Sequence, residues 1–167
     1  MHRLLLPLVA AGLVAAAPGA RSAEAGQGRA ITLIDFHYLD TSGEPRDQTA
    51  EHRTRLEVFM SGLARDVSAG ERFRLVSPRC TPEPCTLVGS PMPELVAAAR
   101  NAGADLLLVG GIHKMSTLVQ WAKVEVVDLR TGRVVFEKLY TFRGDSDEAW
   151  RRAETFIAGQ VLALPPS

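Results

Sequence analysis

The chain has 167 residues, with 19 Lys plus Arg against 19 Asp plus Glu and a formal net charge of zero. There is no basic excess to hold nucleic acid or an anionic membrane surface, so neither is expected as a partner. The length remaining after an amino-terminal leader fits one domain, and no repeat or low-complexity tract divides it.

The chain opens MHRLLLPLVAAGLVAAAPGARSAEAG. His2 and Arg3 form a short basic start, residues 4–17 are an apolar run, and Ala23-Glu24-Ala25 has the small-x-small form of a cleavage site. This pattern reads as a secretory signal peptide over residues 1–25, with cleavage after Ala25 preferred and after Ala23 next. The apolar run is shorter than the roughly 20 residues a membrane helix needs. No cysteine lies near the cleavage region, so export is expected without a lipid anchor. The expected location is periplasmic, and residues 26–167 are the expected domain.

AITLIDF (30–36) is a nearly continuous apolar run, the pattern of a strand buried on both faces. LDTSGEPRDQ (39–48) then reads as a loop. From about Thr49 the period changes: Leu56, Phe59, Met60, Leu63 and Val67 recur at steps of three and four, predicting an amphipathic helix that ends at Gly70. FRLVS (73–77) is a short second strand.

CTPEPC (80–85) holds the only two cysteines of the chain. An oxidising compartment converts such a pair to a disulfide, and the short loop limits its entropic contribution to about 2 kcal/mol. The rival chemistries fit less well. Zinc wants four ligands, a redox pair wants Cys-x-x-Cys at a helix start, and haem attachment wants a histidine where Thr86 follows Cys85. The pair is read as a structural disulfide, Cys80 to Cys85.

Pro93 suits the first turn of a second helix, whose Leu95, Val96 and Ala99 face inward before Gly103 closes it. DLLLVGGI (105–112) is a third strand, again apolar on both faces. Residues 119–129 alternate, with Ala122, Val124 and Val126 on one face, and Val119 and Trp121 on the other. Arg130-Thr131-Gly132 makes a hairpin turn. Residues 134–142 return, with Glu137 and Lys138 on opposite faces, as an edge strand or a bulged one would have them. Acids at Asp145, Asp147 and Glu148 open a last helix whose stripe is Trp150, Ala153, Ile157 and Leu164.

The order of elements is βαβαβββα, a mixed α/β class. The two most apolar strands, first and third, are expected side by side at the centre. A single five-stranded mixed sheet in the order 2-1-3-4-5 follows, with right-handed crossovers and helices on both faces.

With these elements placed, residues 103–152 resemble a family of exported bacterial proteins known only as a domain of unknown function. The resemblance lies in the GAD-apolar-G strand followed by Lys114 and Ser116, in Asp128, Thr131 and Gly132 of the hairpin, and in Gly144, Asp147, Glu148, Trp150, Arg151 and Arg152 at the last helix start. Asp35 and Phe36 at the end of the first strand match as well, whereas the cysteine spacing departs from the tighter one of that family. The architecture is also similar to the amino-terminal domain of TolB and to related domains of envelope assembly lipoproteins. That resemblance implies an adaptor or binding module rather than an enzyme, and it implies no catalytic residue.

Two sets of candidate site residues emerge. Val119 and Trp121 form a stripe that either lies under a helix or faces a protein partner of the envelope, with Arg151 and Arg152 as further partner contacts. Asp35, His37, Gly110, Gly111 and His113 lie at the carboxyl ends of the two central strands, where open α/β sheets take small ligands. Asp35 is placed there to orient a histidine. The Gly110-Gly111 pair is read first as a kink or bulge and second as a point of close approach. No Gly-x-Ser-x-Gly elbow, His-Glu-x-x-His or phosphate loop is present, so no catalytic residue or cofactor is expected; the alternative to a protein-binding adaptor is a small-ligand or metal-binding protein using the crevice near Asp35, His37 and His113.

Overall fold

The computed structural model describes residues 28–81 and 83–165. The leader expected at residues 1–25 lies outside them, as does Pro82 within the cysteine loop. The elements in order are β1 (Arg29–Leu33), β2 (His37–Asp40), α1 (Thr49–Ala69), β3 (Phe73–Leu75), α2 (Met92–Asn101), β4 (Leu106–Lys114), β5 (Val119–Asp128), β6 (Arg133–Arg143) and α3 (Asp147–Leu162).

The sheet has six strands rather than five. Its path is β3-β1-β4-β5-β6, and β2 also pairs with β4. The path is the expected order with one strand added. β1, β2 and β3 run parallel to their neighbours, whereas β4, β5 and β6 form an antiparallel meander.

The added strand comes from the segment expected to be one strand followed by a loop. β1 pairs Leu33 with Leu108, and β2 pairs His37 with Gly111. One extra residue on the first chain therefore interrupts the register. The interruption flips the side-chain phase: Ile31 and Leu33 face one side, and Phe36 and Tyr38 face that same side after it. Because strand side chains alternate, only such an insertion puts odd and then even positions on one face.

α1 and α3 pack together on that face. Phe59, Leu63 and Val67 of α1 meet Trp150, Ile157 and Val161 of α3 over Leu106, Leu108, Ile112, Ala122, Val124 and Val126. α2 takes the opposite face, where Leu95 and Ala99 cover Ile34, Leu107 and Val109. Pro91 and Pro93 start this helix. Gly70 after α1 has an extended backbone rather than a left-handed one, so the first helix ends by the chain turning into β3.

The hairpin between β5 and β6 is held by Asp128. Its Oδ1 accepts the backbone N–H groups of Arg130 and Thr131 at 3.0 and 2.9 Å, and Gly132 supplies the positive φ of 70° that the turn requires. These donors, with Arg29 at 2.9 Å, hold the Asp128 carboxyl down at about 2. A register shift beside Val126 and Val127 bulges β6, and β6 lies at the edge of the sheet.

Candidate functional site

Helix cover is uneven on the face that α2 occupies. α2 and the cysteine loop sit over the β1 side of the sheet, and the rest of that face carries two cross-strand rows. The strand registers place Leu39, His113, Trp121 and Thr141 in one row and His37, Gly111, Lys123 and Leu139 in the next. Leu39, Trp121 and Leu139 are exposed at 47, 36 and 57%. Of the two situations expected for the Val119 and Trp121 stripe, the structure has the open one: α3 packs on the other face. Directly opposite Trp121, His113 meets its ring edge-on at 6.1 Å between centroids.

The two histidines are engaged within the chain. His113 Nε2 lies 2.7 Å from the Thr41 hydroxyl, and His37 Nδ1 lies 3.1 Å from the Gly110 carbonyl oxygen. Asp35 orients neither of them. Its backbone bridges to Thr86, and partial desolvation by its neighbours raises its carboxyl above the ordinary range.

The glycine pair is explained by rings rather than by a kink. β4 and β5 pair without interruption from residue 106 to 114. A Cβ on Gly111 would stand 2.1 Å from the His37 ring, and one on Gly110 would stand 2.4 Å from Phe36 and 2.5 Å from the Lys123 carbonyl oxygen. Phe36 and His37 follow the phase flip, one on each face, and the ring of each occupies the space that a Cβ on the facing glycine would need. The crevice expected at these strand ends is thereby filled from within. Among the described residues, no group of three His, Cys, Asp or Glu could hold a metal ion.

Arg151 and Arg152 do not join this surface. They lie on α3, across the sheet from Trp121, and both pair with Glu148, at 2.8 and 3.2 Å. Cys80 and Cys85 form a disulfide with Cα atoms 5.3 Å apart, packed beside the α2 cluster.

A third arrangement was not singled out as a site in the sequence. Lys114, at the last position of β4, is fully buried. Its Nζ donates to Glu44, to Gln48 Oε1 at 2.6 Å and to Asp145 at 2.8 Å. Asp145 also takes Nε2 of the buried His52 at 2.8 Å and Arg55 at 2.9 Å. His52 in turn meets the Tyr38 ring at a tilt, 4.6 Å between centroids, and stacks with Trp150 at 6.2 Å, the three rings closing a triangle because Tyr38 and Trp150 are 5.7 Å apart. The acids raise the Lys114 ammonium above its ordinary range against the opposing effect of burial. Asp145 is held below the usual carboxylate range by Lys114 and His52, again against burial. The legible signal was a lysine ending an apolar strand, with Asp145 ahead of a helix start. The cluster ties the 40–48 loop, α1, β4 and the entry to α3 together.

The profile of the family DUF3280, described as "Protein of unknown function (DUF2380)", matches residues 29–162. The chain belongs to this family. No curated protein matches it. Among solved structures the chain is similar to the PelC dodecamer from Paraburkholderia phytofirmans, with 16% identity, TM-score 0.49, and coverage of 85% of this chain and 91% of that one. It is also similar to TolB from Acinetobacter baumannii, with 13% identity, TM-score 0.49, and coverage of 84% of this chain and 30% of that one. A third is the LpoB C-terminal domain from Escherichia coli, with 16% identity, TM-score 0.47, and coverage of 68% and 82%.

Proposed function

We propose that this family member is an exported adaptor domain that binds a protein of the cell envelope through the open half of its sheet. The observation that carries the reading is the uncovered face on which Leu39, Trp121 and Leu139 are exposed beside His37 and His113. Apolar side chains on a sheet face are ordinarily covered by a helix or a second sheet, and a contiguous aromatic and aliphatic patch bounded by charges suits a protein interface. The charged boundary is Glu125 and Glu137, which pair with Lys123 of the second row at 2.6 and 3.1 Å. Beside it β6 presents an unpaired edge of 11 residues, which can extend an interface through backbone hydrogen bonds. Among the described residues no helix is long and apolar enough to cross a membrane.

The test is co-purification after cross-linking in the envelope, with the wild type, Trp121→Ala, and Arg151→Ala/Arg152→Ala compared. A tryptophan at the centre of such a patch contributes at least about 2 kcal/mol, roughly 30-fold in affinity. A specific partner should be retained by the wild type and the double arginine variant and lost from Trp121→Ala, whose thermal melt should match the wild type. Equal capture by the wild type and both variants, or none by the wild type, would remove the patch from consideration.

A further inference from the structure

On the opposite side of the molecule, α1 and α3 leave between them a groove of about 490 Å³. That is the size range of small-molecule sites. Its apolar lining is Val58, Phe59, Gly62 and Trp150. Glu154 lies against this lining and is only 2% exposed. Gly62 makes the room for it, since a Cβ there would stand 3.0 Å from the Glu154 carboxyl carbon.

Two buried polar atoms of the lining residues have no hydrogen-bond partner among the described residues: Oε1 of Glu154 and Nε1 of Trp150. The other carboxyl oxygen of Glu154 takes only the Thr155 hydroxyl, at 3.3 Å. Such orphaned buried groups are uncommon and call for an account. Burial pushes the Glu154 carboxyl above its usual range and the charge of Asp66 adds to the rise, against the smaller opposing effects of Thr155, Arg65 and Arg151.

The other charges of the groove are already matched. Arg55 pairs with Asp145 and Asp147, Arg65 with Asp66, Arg151 with Glu148, and Glu51 with Arg46. Glu154 is the lining acid without an ion pair among the described residues. A buried carboxylate gains most from a cationic N–H donor, and the aromatic rings of Phe59 and Trp150 beside it favour a cation as well.

We infer that the groove between α1 and α3 binds a small organic ammonium compound, its nitrogen at the Glu154 carboxylate and its apolar chain along Val58 and Phe59. The site is separate from the open sheet face, and each can fail without the other.

The chain has two tryptophans, Trp121 and Trp150, so Trp121→Phe leaves Trp150 as the reporter. Its emission should respond saturably to n-butylammonium chloride. n-Butanol, with the same chain and no charge, should need at least about ten times the concentration, as loss of one charge-assisted hydrogen bond requires. Adding Glu154→Gln to the Trp121→Phe background should raise the n-butylammonium midpoint by a similar factor. A response of equal midpoint for n-butylammonium and n-butanol, an unchanged midpoint in Glu154→Gln, or a response to sodium chloride alone would overturn the assignment. So would a flat titration with n-butylammonium. The ammonium and alcohol comparison needs no substitution at Glu154 and stands even if that variant folds poorly.

Discussion

Lys114 sits where the alternation of β4 points it into the core, and the chain answers with acceptors from two other segments. Glu44 and Gln48 come from the approach to α1, and Asp145 from the approach to α3. Gln48 occupies the N-cap position of α1, yet its side chain caps nothing there and accepts from Lys114 instead. The helix gives up a local cap for a long-range tie. Removing one partner of a buried ion pair strands the other and costs about 3 to 5 kcal/mol. Lys114→Met should therefore lower the unfolding free energy by about 3 kcal/mol, the low end of that range because Glu44 and Asp145 keep some access to water. Urea denaturation followed by circular dichroism measures it. A loss below about 1 kcal/mol, the size of an exposed surface pair, would mean that the cluster is solvated in practice.

The same economy of position governs β2. The strand is short, with four residues, and it docks on β4 because Phe36 and His37 lie over two glycines. The Gly110 site is closed by a backbone carbonyl as well as by a ring, whereas the three atoms nearest a Cβ on Gly111 all belong to the His37 ring, which can swing outward. Gly110→Ala should thus cost about 2 to 3 kcal/mol and Gly111→Ala about 1 kcal/mol. Adding His37→Ala should recover most of the second loss and little of the first. Thermal melts of the four variants check this ranking, and equal losses at both glycines would contradict it. These contacts also show what could be read in advance. The helices, the meander and the strand order were legible because their periods of 3.6 and 2 are written over many residues. β2 was not, because a one-residue insertion erases the period where two short strands meet. Trp121's exposure was undecidable from the sequence alone: whether α3 packs over one face or the other depends on long-range packing. Lys114 and Asp145 are 31 positions apart and carry no spacing signature, so their pairing emerges only once β4 and the start of α3 are brought together.

For the molecule as a whole, the core formed by α1, α3 and the sheet lies on one side, and the disulfide belongs to the smaller cluster on the other. Cys80 and Cys85 are only five positions apart, so the loop they close is small and the restraint on the unfolded chain amounts to about 2 kcal/mol. Cys80→Ser/Cys85→Ser should leave the fold intact and lower Tm by about 5 to 8 °C, the shift such an energy produces in a domain of this size. The pair also reports on the proposed compartment, since an exported chain should be purified with no thiol reactive to a maleimide under denaturing, non-reducing conditions. The two readouts are independent. Two reactive thiols in protein purified from the envelope would argue against export to an oxidising space, whatever the melt shows. A fully oxidised chain whose serine variant fails to fold would instead mean that the loop, by seating α2 on Leu107 and Val109, holds far more of the structure than its length allows.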